Sequence, residues 1–338
     1  MNSKSQQLIA GVGNAIVDVL CNIEDNTLEK LQLQKGSMKL CSAEFHNRIL
    51  NETSNYEISP GGSVANSIAT LSLLGINTNF SATIGEDIWG NSFKQSLLDC
   101  GIDLNIEIHP DLPTGKSIVL ITPDGERTMN TCLGASTVNS TDYYQSEVVI
   151  DSQYIFIEGY LLDSDSAWNF LKNALPTYKN RGIKLILTLS DSNCVRDNLS
   201  RFKTLAEHCT IIFANSKEIA ALWSIEEIEV DFSTPISDTT PYTLVVTRSE
   251  MGATIFDFGE VQSYRAKMVT DICDLTGAGD QFASGYIFGY LSGWDIEYCT
   301  KFGNELASKI ITQIGPRFSS KSTQTILSDF KGRNKLPN

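Results

Sequence analysis

Apolar and polar positions along the chain fall into blocks that change period several times. The first block, Leu8 to Leu20, is apolar until Asn14 and Asp18 interrupt it, and it predicts a buried strand with polar residues toward its end. Polar groups at that end point to a site, because α/β sheets bind ligands beyond the carboxyl ends of their strands. Residues 22–45 turn polar and irregular, with alternation only around Gly36-Ser37-Met38-Lys39-Leu40. From Pro60 the period shifts again. Val64, Ile68 and Leu71 lie at helical spacing with Ala65 and Ala69, and Gly75 stands as a stop signal. A strand over 77–85 and a helix from Asn91 to Asp99 follow, and residues 117–133 predict a hairpin around Pro123-Asp124-Gly125.

Beyond Tyr154 the chain alternates regularly. Strands over 154–159, 183–190, 210–216 and 243–248 are separated by helices beginning at Ser164, Asp197 and Lys217. Short apolar strands alternating with helices predict a doubly wound, mostly parallel α/β sheet with helices on both faces. Helices near 280–292 and 296–313 close the chain, and residues 1–338 are expected to form a single domain. The early hairpin-like pieces do not suit a sheet centre. They predict a small β lid formed by insertions at about 19–42 and 104–132. The acidic run Glu226 to Asp231 reads as a solvated loop.

Composition narrows the function classes. The 338 residues are 41% apolar and 20% charged, with no apolar run approaching the roughly 18 needed to span a bilayer. The short apolar stretch near the N-terminus is broken by Gly and Asn, unlike a signal peptide. With 26 Lys plus Arg against 40 Asp plus Glu, the net charge is −14. That balance disfavours a nucleic-acid-coating surface, and the expectation is a cytoplasmic protein with no nucleic-acid or membrane partner. A small anion remains compatible, because backbone N–H groups can hold it. Eight cysteines without a C-x-x-C and three dispersed histidines predict buried reduced thiols, no transition-metal site and no Ser-His-Asp triad.

The sharpest candidate chemistry is Asp274-Leu275-Thr276-Gly277-Ala278-Gly279-Asp280-Gln281-Phe282, small residues leading into an apolar-periodic helix. Unpaired N–H groups and the helix dipole favour an anion there. Asp280 could take a proton from a substrate hydroxyl beside that anion, as phosphoryl transfer to an alcohol requires. On local chemistry alone, an aspartate stabilising a helix N-terminus with no ligand fits equally. Two look-alikes do not hold up. Gly115-Lys116-Ser117 lacks the first glycine of a P-loop (Pro110 stands there), and the Gly11-Val12-Gly13 pattern ends in Ile16 with no helix indicated.

The string Asp274–Phe282 resembles the C-terminal signature of the PfkB (ribokinase-like) carbohydrate and nucleoside kinases, with Leu275 as a departure. Gly61-Gly62-Ser63-Val64-Ala65-Asn66-Ser67 is similar to that family's substrate-side glycine motif, and the order and separation of the two also fit. The resemblance implies a ribokinase-like fold over residues 8–315 and the use of ATP and Mg²⁺, and it leaves room for a monovalent cation such as K⁺. It implies Asp280 as catalytic base and Gly277, Ala278 and Gly279 as the anion hole. Asn215 and Glu218 match the motif that organises Mg²⁺ through water, although taken alone the pair is a helix cap. Thr247 and Gly252 match the nucleotide loop, with Ser249 replacing its first glycine, and Asn304 matches a position near the ATP base.

On the acceptor side, Asp18, Gly61, Gly62 and Asn66 match the grip on ribose hydroxyls, and Arg127 a basic residue that meets the phosphates on closure. Asn14, Ser63 and Tyr160 are similar to the adenosine kinase-like subgroup, in which Tyr160 would lie against the base; alone, it reads equally as a core tyrosine. The resemblance therefore implies ATP-dependent phosphoryl transfer to a primary hydroxyl of a ribosyl compound, adenosine to AMP. The alternative is a kinase of ribose, fructose or a related sugar, and a non-catalytic sensor on the same fold is a third reading. The partner is a small nucleoside or sugar, and the protein a monomer or homodimer.

Overall fold

In the computed structural model, the N-terminal apolar segment is divided between two sheets. It describes residues 8–36, 38–53, 55–124, 126–138, 140–233, 241–334 and 336, so Ser37 and the Gly125 of the expected turn lie outside the described residues. Strand β1 (Leu8–Val12) is buried along nearly its whole length, whereas β2 (Ile16–Asn22) alternates from Val17 onward. The first pattern suits a strand covered on both faces, and the second a strand covered on one. The single strand expected over 8–20 is therefore two, joined by Gly13-Asn14-Ala15.

The chain continues through α1 (Asp25–Leu31), β3 (Met38–Leu40), α2 (Ala43–Glu52), β4 (Glu57–Pro60), α3 (Ser63–Leu73), β5 (Asn77–Gly85) and α4 (Ile88–Leu98). Then come β6 (Asp103–His109), β7 (Gly115–Ile121), β8 (Arg127–Cys132), α5 (Thr141–Gln145), α6 (Glu147–Ile150), β9 (Tyr154–Glu158), α7 (Asp165–Arg181) and β10 (Lys184–Thr188). The remainder is α8 (Ser192–Asp197), α9 (Leu199–Ala206), β11 (Cys209–Asn215), α10 (Ser216–Trp223), β12 (Thr243–Thr247), β13 (Ala253–Asp257), β14 (Glu260–Tyr264), α11 (Ala278–Leu291), α12 (Ile296–Ile310) and α13 (Ser320–Arg333).

The large sheet has nine strands in the order β14-β13-β12-β11-β10-β9-β1-β5-β6. All neighbours are parallel except at the β12-β13-β14 edge. Successive strand residues face opposite layers. Ile211 and Phe213 enter the core under α3, α11 and α12, while Ile212 and Ala214 enter the core under α7, α9 and α10. From β1 the chain first builds outward to β5 and β6, then returns to place β9 on the other side of β1. That reversal opens a crevice at the carboxyl ends of β1 and β9.

The second sheet, β3-β8-β7-β2-β4, is the small lid-like layer, and its make-up corrects the expected boundaries. It starts at Ile16 rather than 19 and includes β4, because β2 pairs with both β4 and β7. Residues 103–109 are not part of it. They pair with β5 from Asn79↔Asp103 to Gly85↔His109, with Leu104 and Ile106 packed against the large core. One face of the small sheet sends Val19, Cys21, Ile118 and Leu120 into a cluster with Leu28, Leu31 and Ile49. The last three come from α1 and α2, which the polar text of 22–45 does not reveal. A further helix, α13, follows the two expected to close the chain, its N-cap Ser319 accepting from the Ser322 N–H at 3.2 Å. All eight cysteines are unpaired thiols, five of them buried and Cys273 exposed. Among the described residues no helix is long and apolar enough to cross a membrane.

Helices α11 and α12 touch backbone to backbone. A Cβ on Gly285 would lie 2.8 Å from the Cα and N of Gly303, and one on Gly303 would lie 2.8 Å from the carbonyl of Phe282. Only glycine permits that approach. Gly285→Ala should therefore push α11 away from α12 and cost about 1–3 kcal/mol of stability. A urea unfolding midpoint equal to that of the parent chain would contradict this packing.

Candidate active site

The crevice at the strand ends is lined by charge. β1 leads to Asn14, β9 ends at Glu158, and the Asn14 amide donates to Glu158 Oε1 at 3.4 Å. The other carboxyl oxygen of Glu158 accepts the Val64 N–H, in the first turn of α3, at 3.3 Å. Burial pushes the Glu158 carboxyl up to about 8, with the nearby Asp280 charge adding and those hydrogen bonds opposing. Local sequence carries a trace of this residue, the lone charge ending the apolar run Tyr154-Ile155-Phe156-Ile157.

The register of the small sheet sets Asp18 beside Ser117 and Ser117 beside Thr131, with Arg127 on the same face of β8. Asp18 closes on the turn before α3. A Cβ on Gly61 would come within 2.8 Å of its carboxyl atoms. Burial raises the Asp18 carboxyl to about 7; Asp280 reinforces the rise, while Arg317 and Arg127 oppose it.

Asp280 lies in the first turn of α11, a helix of 14 residues capped by Gly277 at φ +78°. A Cβ at Gly277 would sit 2.6 Å from Pro316, so that turn is closed to other residues. At Gly279 a Cβ would meet nothing within 4 Å, leaving open room above the helix start. Helix α3 supplies both partners of the Asp280 carboxylate. Ser63 Oγ donates to Oδ1 at 2.6 Å and Asn66 Nδ2 to Oδ2 at 2.9 Å. Burial raises the Asp280 pKa, and these two bonds together with the Arg317 charge restrain it.

Two further groups complete the constellation: Asp274, which heads the signature string without an expected role, and Arg317, which carries no local signal. Asp274 accepts from the N–H groups of Thr276 at 2.8 Å and Gly315 at 2.9 Å, and pairs with Arg127 at 2.6 Å. Burial alone would raise its carboxyl, but these donors hold it below the ordinary range. Arg127 also donates to the Thr276 hydroxyl, so the small sheet is tied to the glycine loop. Arg317, between α12 and α13, donates to Asn66 Oδ1 at 2.9 Å, Ser96 Oγ at 3.1 Å and the Gly61 carbonyl at 3.1 Å.

The remaining expected residues gather at the ends of β11 and β12, where Asn215 and Thr247 are register partners. Asn215 and Glu218 form a reciprocal cap: the Asn215 N–H and Nδ2 donate to the two carboxyl oxygens at 3.0 and 2.7 Å, and the Glu218 N–H returns to Asn215 Oδ1 at 2.9 Å. Each is committed to the other, so the pair does not fit direct metal ligation. No cluster of three or more His, Cys, Asp or Glu among the described residues could hold a metal ion. Burial lifts the Glu218 carboxyl to about 7. Thr247 Oγ1 donates to the Ala214 carbonyl at 3.3 Å, and Asn304 Nδ2 reaches the carbonyls of Tyr264 and Arg265 at 3.4 Å. Ser249, standing where the resembling loop has glycine, keeps a left-handed φ of +50°. Tyr160, half-buried, packs at the margin of the core under α7, α9 and α10. Burial drives its phenol well above the ordinary range, and the Asp191, Glu158 and Glu218 charges add to this.

Comparison with known proteins agrees with this geometry. A model of the pfkB family carbohydrate kinases matches residues 38–323. Adenosine kinase from Dictyostelium discoideum is 26% identical over 326 residues, covering 90% of this chain and 94% of its own. The crystal structure of adenosine kinase from Sinorhizobium meliloti superposes with a TM-score of 0.87 at 31% identity, covering 96% of this chain and 100% of its own. A probable sugar kinase protein from Rhizobium etli CFN 42 superposes with a TM-score of 0.86 at 30% identity, covering 96% and 98%.

The raised carboxyls have a consequence for stability. A carboxyl whose folded-state pKa exceeds its unfolded value of about 4 stabilises the fold below that value and loses the contribution as pH rises through the folded pKa. For Asp18 and Glu218 the loss sets in at about 4 and is complete at about 7, and for Glu158 it is complete at about 8. The unliganded protein should therefore become less stable between about pH 4 and pH 8, a window of roughly three to four units set by the gap between unfolded and folded pKa values. Glu158→Gln, which keeps the shape of the neutral acid, should flatten that decline in urea titrations. A parallel decline in the variant would show that Glu158 does not drive it.

Proposed function

Since the chain belongs to the pfkB family of carbohydrate kinases, we propose that it transfers the γ-phosphoryl group of ATP to the 5′-hydroxyl of adenosine, giving AMP. The observation that carries this reading is the Asp280 carboxylate, set at the start of α11 and held at both oxygens by Ser63 and Asn66 of α3. An acceptor hydroxyl replacing either donor would meet a base whose pKa burial has already raised toward the working range. The backbone N–H groups of Gly277, Ala278 and Gly279 would face the transferring phosphoryl group, with open room at Gly279 to admit it. Asp18 and Asn14 would take ribose hydroxyls, since a carboxylate and an amide can each engage neighbouring hydroxyl groups.

Arg127 brings a positive charge from the small sheet to the glycine loop, which supports a lid that excludes water during transfer. Thr247, Gly252 and Asn304 would hold the nucleotide on the far side of the loop. Magnesium, arriving with ATP, would offset phosphate charge. Asn215 and Glu218, committed to each other, would meet it only through water. The adenosine reading draws support from the likeness to the Sinorhizobium meliloti adenosine kinase. A free sugar as acceptor is the second reading, favoured by the likeness to the probable sugar kinase protein from Rhizobium etli CFN 42.

Purified protein given MgATP and a panel of adenosine, other nucleosides, ribose and fructose should release ADP selectively with adenosine. Turnover confined to a free sugar would keep the base and replace the acceptor. Asp280→Asn should lower kcat by about a thousandfold or more while ATP still binds, as measured by calorimetry. Near-normal turnover in that variant would remove Asp280 from its role.

A further inference from the structure

Arg317 is the one cation of the site that makes no ion pair among the described residues, although the charges of Asp18 and Asp280 both act on it. Its guanidinium spends its donors on three neutral acceptors from separate elements: Asn66 Oδ1 on α3, Ser96 Oγ on α4 and the Gly61 carbonyl before α3. A guanidinium can only donate. Asn66 must therefore turn its oxygen to Arg317 and its NH₂ to Asp280 Oδ2. The amide has no choice of orientation while Arg317 is in place.

We propose that Arg317 is a positioning residue for the base: through Asn66 it orients the Asp280 carboxylate, and its unpaired charge favours the ionised form of both Asp280 and Asp18. This rests on the reading of Asp280 as base. The other charged or titratable groups around the pair are Arg127 on β8, Asp274 in the glycine loop, Cys100 after α4, Glu158 on β9 and Glu218 on α10. Arg127 is already matched by Asp274, so it cannot replace the missing charge. Asp280 raises Asp18, and Arg317 opposes the rise in both carboxyls. Burial lowers Arg317 itself only to about 10, so it stays a cation through the neutral range.

The test is the pH profile of kcat/KM, with MgATP and whichever acceptor of the panel is turned over, for Arg317→Gln and Arg317→Lys across roughly pH 5 to 9. Removing a positive charge raises the pKa of a neighbouring carboxylate. Arg317→Gln should therefore move the acid limb upward by about one pH unit. Arg317→Lys keeps the charge and loses the three-way grip. Its acid limb should stay in place while kcat falls by about tenfold or more. An unmoved acid limb in Arg317→Gln overturns the proposal, and so does a Lys variant whose limb shifts as far as that of Gln.

Should Arg317→Gln fail to fold, Arg317→Lys decides alone. A lowered kcat with an unmoved limb and a parental thermal midpoint supports the proposal, and an unchanged kcat overturns it. Asp280→Asn, run alongside, separates the two readings. Activity retained there removes the base itself. An inactive Asp280→Asn beside an unmoved Arg317→Gln profile removes only the role of Arg317.

Discussion

Carboxyl groups crowd the open end of the large sheet, and the site depends on how their mutual repulsion is managed. Asp18, Glu158, Glu218 and Asp280 come from four different elements, and burial raises the pKa of each. Such a cluster would push its own walls apart if every member were ionised and unpartnered. Three devices prevent this. The α3 N-terminus donates to Glu158, the Asn215 N–H and amide donate to Glu218, the α3 side chains donate to Asp280, and two arginines supply positive charge.

The two arginines divide the work. Arg127 is paired to Asp274 and fastens the small sheet to the glycine loop at the start of α11. Arg317 is unpaired and fastens the turn at Gly61 to α3 and α4. One therefore joins two layers of the molecule, while the other stiffens the start of α3 within one. The backbone contact between α11 and α12 extends this rigidity into the core, because the helix that carries Asp280 cannot shift without moving Gly303. Side chains held on packed helices in this way keep a fixed geometry, as in-line transfer by the proposed site would need.

Much of this was legible in the residues. The alternation of short strands and helices beyond Tyr154 predicted the parallel sheet, and the helix over 278–291 was visible in its apolar period. The glycine motifs at 61–62 and 277–279 and the aspartate at 280 stood out because their chemistry is local and contiguous. The small sheet was legible as a hairpin but not in extent. β2 and β4 join it through pairings between distant segments, and β6 leaves it for the edge of the large sheet.

By itself the sequence determined the fold class, the polar strand ends and the glycine loop that opens α11, because each depends on periodicity or on neighbouring residues. Tertiary structure alone decided which charges share a space. Glu158 and Asn14 lie 144 positions apart, and Asn66 and Arg317 lie 251 apart. It also placed Tyr160 half-buried at the margin of the core, whereas the mutual cap of Asn215 and Glu218 was already legible in the residues. No local pattern marks Arg317 in Gly315-Pro316-Arg317-Phe318. Its importance comes from the crossing of α3, α4 and the loop before α13, and a contact across such a crossing leaves no period along the chain.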